Sequence, residues 1–275
     1  MQDVTSHRTD VPDPAEFENL AVHLATGAAR IVRDRRSGEL EVTAKSTSTD
    51  LVTEVDRATE RWLLAELAVL RPGDAVLGEE TGVRTGQTGV RWVLDPIDGT
   101  VNFVLGLPQY AVSVAAEIDG AVVAGAVCQP ISGETFHARR GGGAFLGDER
   151  LDGPRDVPLA RAVVGTGFSY DPQRRALQVA VLTGLLPRIA DVRRLGAASL
   201  DLCFVAAGRL DAFFEVGLNP WDYAAGGLIA TEAGCVVTGL RGRGGSPDFL
   251  AVAGARLVTD FVAVLEELDA DVLSS

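Results

Sequence analysis

The stretch Trp92-Val93-Leu94-Asp95-Pro96-Ile97-Asp98-Gly99-Thr100 decides the fold. A short apolar run that empties into acids, a Gly and a hydroxyl reads as a buried strand ending at a functional corner. Pro96 fixes the turn, and Gly99 lets backbone N–H groups approach an anion. Asp95 and Asp98 at a sheet end can share hard, oxygen-seeking cations. Ala75 to Leu77 repeats the pattern before Gly78-Glu79-Glu80.

Outward from this corner, the chain alternates between strand and helix signals. Asp13-Pro14-Ala15-Glu16 predicts a helix start, with an Asp cap and Pro in the first turn, and the helix runs to about Arg36. Ser37 to Thr49 reads as a mobile loop that delivers Asp50 as cap of a second helix. That helix carries Leu51, Val55, Ala58, Trp62 and Leu63 at helical spacing and stops near Leu70. Ala111 to Ile118 and Ala121 to Val127 flank Asp119-Gly120, a hairpin signal, so part of the sheet is antiparallel. Past Ala162, strands alternate with helices over 173–186, 198–207, 221–233 and 258–273. No linker separates independent domains. We expect a tail over 1–12 without order, then one α/β domain over 13–275 made of two intimate halves, about 13–160 and 161–275.

Composition narrows the function. The chain has 275 residues, 47% of them hydrophobic, and can bury a large core. Its charge of −13, from 25 basic and 38 acidic residues, argues against a nucleic-acid partner. No apolar run approaches the roughly 20 residues that span a bilayer, and the N-terminus lacks a secretory pattern, which points to the cytoplasm. Cys128, Cys203 and Cys235 sit in apolar contexts and read as buried thiols. With His7, His23 and His137 as the only histidines, a His-based triad is not expected, and His137 reads as a strand residue without chemistry. The Asp95/Asp98 spacing also differs from the Asp-x-Asp pair of phosphatases that form a phospho-aspartate. Asn219-Pro220-Trp221-Asp222 opens a helix, where Asp222 could serve as a cap or as a ligand. Taken together, Asp50, Glu79, Asp95, Asp98 and Asp222 could compensate two or three divalent ions and a phosphate.

These motifs resemble the inositol monophosphatases. Asp95-Pro-Ile-Asp98-Gly-Thr100-Val-Asn102-Phe103 carries the likeness, with Gly78-Glu79-Glu80 upstream and Trp221-Asp222-Tyr-Ala-Ala-Gly226 downstream. It extends from Asp50-Leu-Val-Thr53-Glu-Val-Asp56 to the last strands. The resemblance implies a layered αβαβα sandwich of the inositol monophosphatase and fructose-1,6-bisphosphatase type, a homodimer, two or three Mg2+ ions and lithium sensitivity. It implies metal ligation by Glu79, Asp95, the Ile97 carbonyl, Asp98 and Asp222, and phosphate binding by Gly99 and Thr100. Asp50 would stand near Thr100 and orient the attacking water. Arg193, Gly196, Ala197 and Ala198 would face the substrate ring, although Ala197 stands where relatives often carry Thr or Ser, and Glu215 would bond a ring hydroxyl. The activity implied is hydrolysis of inositol 1-phosphate by metal-activated water. Fructose 1,6-bisphosphate, another sugar phosphate or histidinol phosphate are the alternative substrates, and a regulatory protein-binding role is the reading from another class.

Overall fold

The computed structural model describes residues 13–36, 42–44 and 51–271, with only the backbone at Leu51. The 1–12 tail, Asp50 and most of the expected Ser37–Thr49 loop therefore lie outside the described residues. Helix α1 (Pro14–Arg35) starts as its sequence predicts, with Asp13 Oδ1 accepting from Ala15 N at 3.0 Å.

The second helix begins later than expected. Leu51–Thr53 is a strand, β2, paired antiparallel with β1 (Val42–Ala44) inside the segment read as a loop. Thr53 caps α2 (Glu54–Leu70), its Oγ1 accepting from Val55 N at 3.1 Å, while Asp56 Oδ2 accepts from Thr53 N at 2.9 Å. The reason is local: Leu51-Val52-Thr53 is extended-prone, and Thr53 with Asp56 closes a reciprocal box that a cap at Asp50 could not. Thr53→Ala is expected to cost about 1–2 kcal/mol, read as a melting temperature lower by roughly 2–6 °C. An unchanged melt would show that the cap carries no stability.

The first sheet contains β3 (Ala75–Gly78), β4 (Gly82–Arg84) and β5 (Val90–Asp98). Helix α3 (Thr100–Leu105) then leads to β6 (Ala111–Ile118), β7 (Ala121–Cys128), β8 (Thr135–Arg139), β9 (Gly143–Leu146) and β10 (Glu149–Arg150). The order is β10-β9-β8-β7-β6-β5-β3-β4, with β3 and β5 parallel. Asp119 and Gly120, at φ 52° and 78°, make the expected hairpin turn between β6 and β7.

The second sheet is assembled from β11 (Val163–Thr166), α4 (Pro172–Leu185), β12 (Asp191–Arg193), α5 (Ala198–Ala206) and β13 (Ala212–Glu215). After α6 (Pro220–Glu232), β14 (Cys235–Thr238) and β15 (Leu250–Gly254) complete it, and α7 (Leu257–Glu267) follows. Its order is β12-β11-β13-β15-β14, with β11 parallel to both neighbours.

Three apolar cores separate five layers. One lies between α1/α2 and the first sheet and holds Leu24, Leu63, Trp92 and Leu94. The second lies between the sheets, where α5 and α6 pack Leu200, Val205 and Ile229 against Val93 and Phe213. The third joins Phe214 and Ala251 to Leu185 of α4 and Phe261 of α7. Alternation along strands explains the partition, since Val93 and Leu94, or Phe213 and Phe214, face opposite sides. Helices α5 and α6 are apolar nearly all round because a sheet covers each of their two sides. The result is the αβαβα sandwich. Trp92 is buried with its Nε1 donating to Asp74 Oδ2 at 2.9 Å, so the strand that carries the corner is anchored on its polar edge as well. Cys128, Cys203 and Cys235 are buried free thiols. His137, on β8, bonds Glu18 of α1 through Nδ1 at 2.7 Å, far in sequence from the corner and structural in role. No helix among the described residues is long and apolar enough to cross a membrane.

Candidate active site

In a regular strand, residues three apart point to opposite faces, which would separate Asp95 from Asp98. Here β5 breaks register against β6 between these residues, Asp95 pairing Ser113 while Asp98 pairs Ala111. Three steps on β5 thus oppose two on β6, and this bulge turns both carboxylates to one side. Pro96, which cannot donate to the ladder, sits inside the irregularity. Asp222 joins them from the first turn of α6, so that Asp95, Asp98 and Asp222 each bring an oxygen within 4.8 Å of the others. Asp222 also caps the helix, the first of its two expected roles, its Oδ2 accepting from Asn219 N at 2.6 Å.

Glu79 completes the cluster from the end of β3. Its N–H donates to Leu94 O at 3.1 Å, continuing the parallel pairing with β5, and its carboxyl is hydrogen-bonded to that of Asp95. Glu60 holds this turn, accepting from Glu80 N at 2.9 Å and Thr81 N at 2.8 Å. Burial, then Glu79, Asp98 and Asp222, push the Asp95 carboxyl well above the ordinary carboxylate range. Burial also raises Asp98 to about 6, against the lowering effect of the Ser199 hydroxyl and N–H. Asp222 is raised well above its usual value by burial and then by Asp98. Two carboxylates in hydrogen-bond contact need a proton or a cation between them. The donor set is entirely oxygen, and these residues fit a hard divalent ion.

Thr100 Oγ1 lies 3.1 Å from Asp56 Oδ1 and 2.9 Å from the Ile97 carbonyl. Among the described residues the acid bonded to Thr100 is Asp56; Asp50, expected near Thr100, lies outside the described residues. Asp56 is fully buried, and its box with Thr53 aims the second oxygen at Thr100. The Thr53/Asp56 spacing carried that signal in the sequence. Gly99 precedes α3 at φ 89°, and a Cβ there would stand 2.9 Å from Gln109 O and 3.2 Å from Ala197 Cβ.

A cavity of about 470 Å3 opens over this cluster, between the two sheets. Glu79, Asp95, Ile97, Asp98, Gly99, Thr100, Gly196, Ala198, Glu215 and Asp222 all line it, as the sequence reading grouped them. Two expected residues do not. Ala197 is buried with its methyl toward Gly99, and Arg193 is exposed and bonded to Asp191 at 2.5 Å. Its neighbour Arg194 lines the cavity instead, because consecutive residues leaving a strand face opposite ways. Glu215 is packed over Gly167, where a Cβ would come within 2.0 Å of Oε1, and burial raises its carboxyl to about 8 despite nearby Arg194. The segment Gly167 to Asp171, Arg174 and Ser199 were not anticipated. Ser199 donates to Asp98 through its N–H at 2.7 Å and its hydroxyl at 2.5 Å.

An acid-lined cleft at the carboxyl ends of strands from two sheets, with a left-handed Gly and a Thr at its floor, defines a layered α/β protein with a candidate divalent-metal site. Comparison with known proteins makes the assignment specific. The family model described as "Inositol monophosphatase family" matches residues 13–268, and the chain belongs to that family. Among its relatives is an inositol-1-monophosphatase of Mycobacterium leprae, 50% identical over 82% of this chain and 84% of the relative. The Nus factor SuhB of Escherichia coli is 39% identical over 82% of this chain and 85% of its own length. The crystal structure of the extragenic suppressor protein suhB of Bartonella henselae superposes with a TM-score of 0.85 at 34% identity, covering 90% of this chain and 97% of that one.

Proposed function

We propose that the protein is a magnesium-dependent phosphomonoesterase that hydrolyses inositol 1-phosphate to inositol and phosphate. The observation that supports this most is the convergence of Asp95, Asp98 and Asp222 within 4.8 Å, in contact with Glu79 and beside the first turn of α3. Glu79, Asp95, the Ile97 carbonyl, Asp98 and Asp222 would hold the magnesium. Bound there, it would supply Lewis-acid charge at the phosphate and acidify the attacking water.

The chain's own residues do the rest. Asp56 accepts the Thr100 hydroxyl proton, which leaves the lone pairs of Thr100 Oγ1 free to orient a water toward phosphorus. The first N–H groups of α3 have no side-chain cap and can hold the phosphate oxygens. Gly196, Ala198 and Glu215 line the cavity, where the two small residues would face the ring and Glu215 would bond a ring hydroxyl. The water attacks in line with the leaving oxygen, and no residue becomes covalently phosphorylated. Family membership extends the proposal to a homodimer, lithium inhibition and a cytoplasmic location.

The test is phosphate release by the purified protein, with and without magnesium, from inositol 1-phosphate, fructose 1,6-bisphosphate and histidinol phosphate. Magnesium-dependent release strongest on inositol 1-phosphate is expected. A stronger response to another ester would keep the chemistry and change the substrate. No release from any would favour the protein-binding reading, which the likeness to a protein named a Nus factor supports.

A further inference from the structure

Helix α5 opens without a side-chain cap of its own, because Ala197 holds the cap position. The acceptor for its first turn is Asp98, 101 residues from Ser199 in the chain. Ser199, the second residue of the helix, donates its N–H at 2.7 Å and its hydroxyl at 2.5 Å, both to Asp98 Oδ2. The Ala198 N–H also bonds this carboxyl. Ser199 is fully buried, and its carbonyl lies against Gly226 of α6, where a Cβ would come within 3.0 Å. The two donors therefore reach Oδ2 from a backbone that the packing of α5 on α6 holds in place.

A carboxylate oxygen carries two lone pairs, and Ser199 engages both on Oδ2. Among the described residues no such pair of donors meets Oδ1, which keeps its capacity for a cation. The arrangement is particular to Asp98. Asp95 Oδ1 accepts a single N–H, from Ile97, and Asp222 Oδ2 a single one, from Asn219.

The distinction bears on which ion the cluster would hold. Mg2+ demands near-ideal octahedral order at about 2.0–2.1 Å, whereas Ca2+ takes roughly six to eight oxygens at about 2.3–2.6 Å and readily draws both oxygens of one carboxylate. An acid with one oxygen already engaged suits the smaller ion and handicaps the larger. We propose that Ser199 is a positioning residue that restricts Asp98 to one-oxygen coordination and so biases the metal site toward Mg2+ against Ca2+. This rests on the magnesium reading above and adds the residue that discriminates between ions.

Calorimetric titration of the metal-stripped full chain, with Mg2+ alone and with Ca2+ alone, tests it. The parent, Ser199→Ala and Ser199→Cys are compared, with circular dichroism melts to confirm folding. Ser199→Ala keeps the N–H donor and frees one lone pair of Oδ2. The ratio of the Ca2+ to the Mg2+ dissociation constant should fall by about 10-fold or more, the size usual for groups that orient a metal ligand. Ser199→Cys, whose thiol is a weak donor, should move the ratio the same way by less. Phosphate release in magnesium should become correspondingly more sensitive to added Ca2+. A merely structural role would lower the melt or weaken both ions alike. An unchanged ratio in folded Ser199→Ala therefore overturns the proposal, and the cysteine variant decides by the same ratio should the alanine variant not fold. If the parent binds no Mg2+, the metal reading itself fails and the discrimination with it. If the parent binds both ions and the ratio stays put, only the role of Ser199 falls.

Discussion

Asp95→Asn is expected to reduce phosphate release by at least roughly 10^3-fold while the protein stays folded, about 4 kcal/mol of transition-state stabilisation. Asp95 is 2% exposed, its Oδ1 accepts from Ile97 N at 3.0 Å, and its carboxyl bonds that of Glu79. An asparagine keeps the volume and its Oδ1 can still accept from Ile97, so the turn at Pro96 survives. What disappears is the charge that a divalent ion would share with Asp98 and Asp222. The melt provides the control. Burial and three neighbouring acids hold the Asp95 carboxyl well above its unfolded value, so ionising it at neutral pH in metal-free protein costs stability. The metal-free variant should therefore melt at or above the parent, and added magnesium should raise its melting temperature less than the parent's. Activity above roughly a tenth of the parent's would remove Asp95 from the metal assignment, whereas loss of fold would make it structural.

Removal of divalent cations is expected to abolish phosphate release and to destabilise the protein more at high pH than at low. Asp98 titrates at about 6 and Glu215 at about 8, with Asp95 and Asp222 also raised, whereas the unfolded chain titrates near the ordinary carboxylate range. Raised groups contribute stability that is full below their unfolded values and is lost as pH climbs through the folded ones. Metal-free protein should thus weaken as pH rises from the unfolded values near about 4, through about 6 for Asp98, to about 8 for Glu215. A bound cation requires those cluster carboxylates ionised, so its contribution grows over the same interval. At about 100 times its dissociation constant, magnesium adds about 2.7 kcal/mol, roughly 5–10 °C for a chain of this size. The difference between melts with magnesium and with chelator should be small at pH 5 and largest near pH 8. A difference independent of pH, or absent, would dissociate the cluster from cation binding. Glu215 lies outside the cluster and should leave a smaller pH dependence in both series.

The amino-acid sequence determined the corner itself. Apolar runs ending in Glu79 and in Asp95, a helix opening at Asp222, and the Asp119-Gly120 hairpin are local signals, set by side-chain size, alternation and turn chemistry within a few residues. They sufficed for the α/β class, for most element positions and for the acids that line the cleft. The tertiary structure decided what depends on partners distant in the chain. Only the bulge of β5 against β6 puts Asp95 and Asp98 on one side, because pairing register belongs to two strands. Only the approach of α2 to α3 brings Asp56 to Thr100, across 44 residues. The choice of Arg194 over Arg193, and the presence of Arg174 in the same cavity, follow from how β12 and β11 lie beside each other, which no sequence window spans.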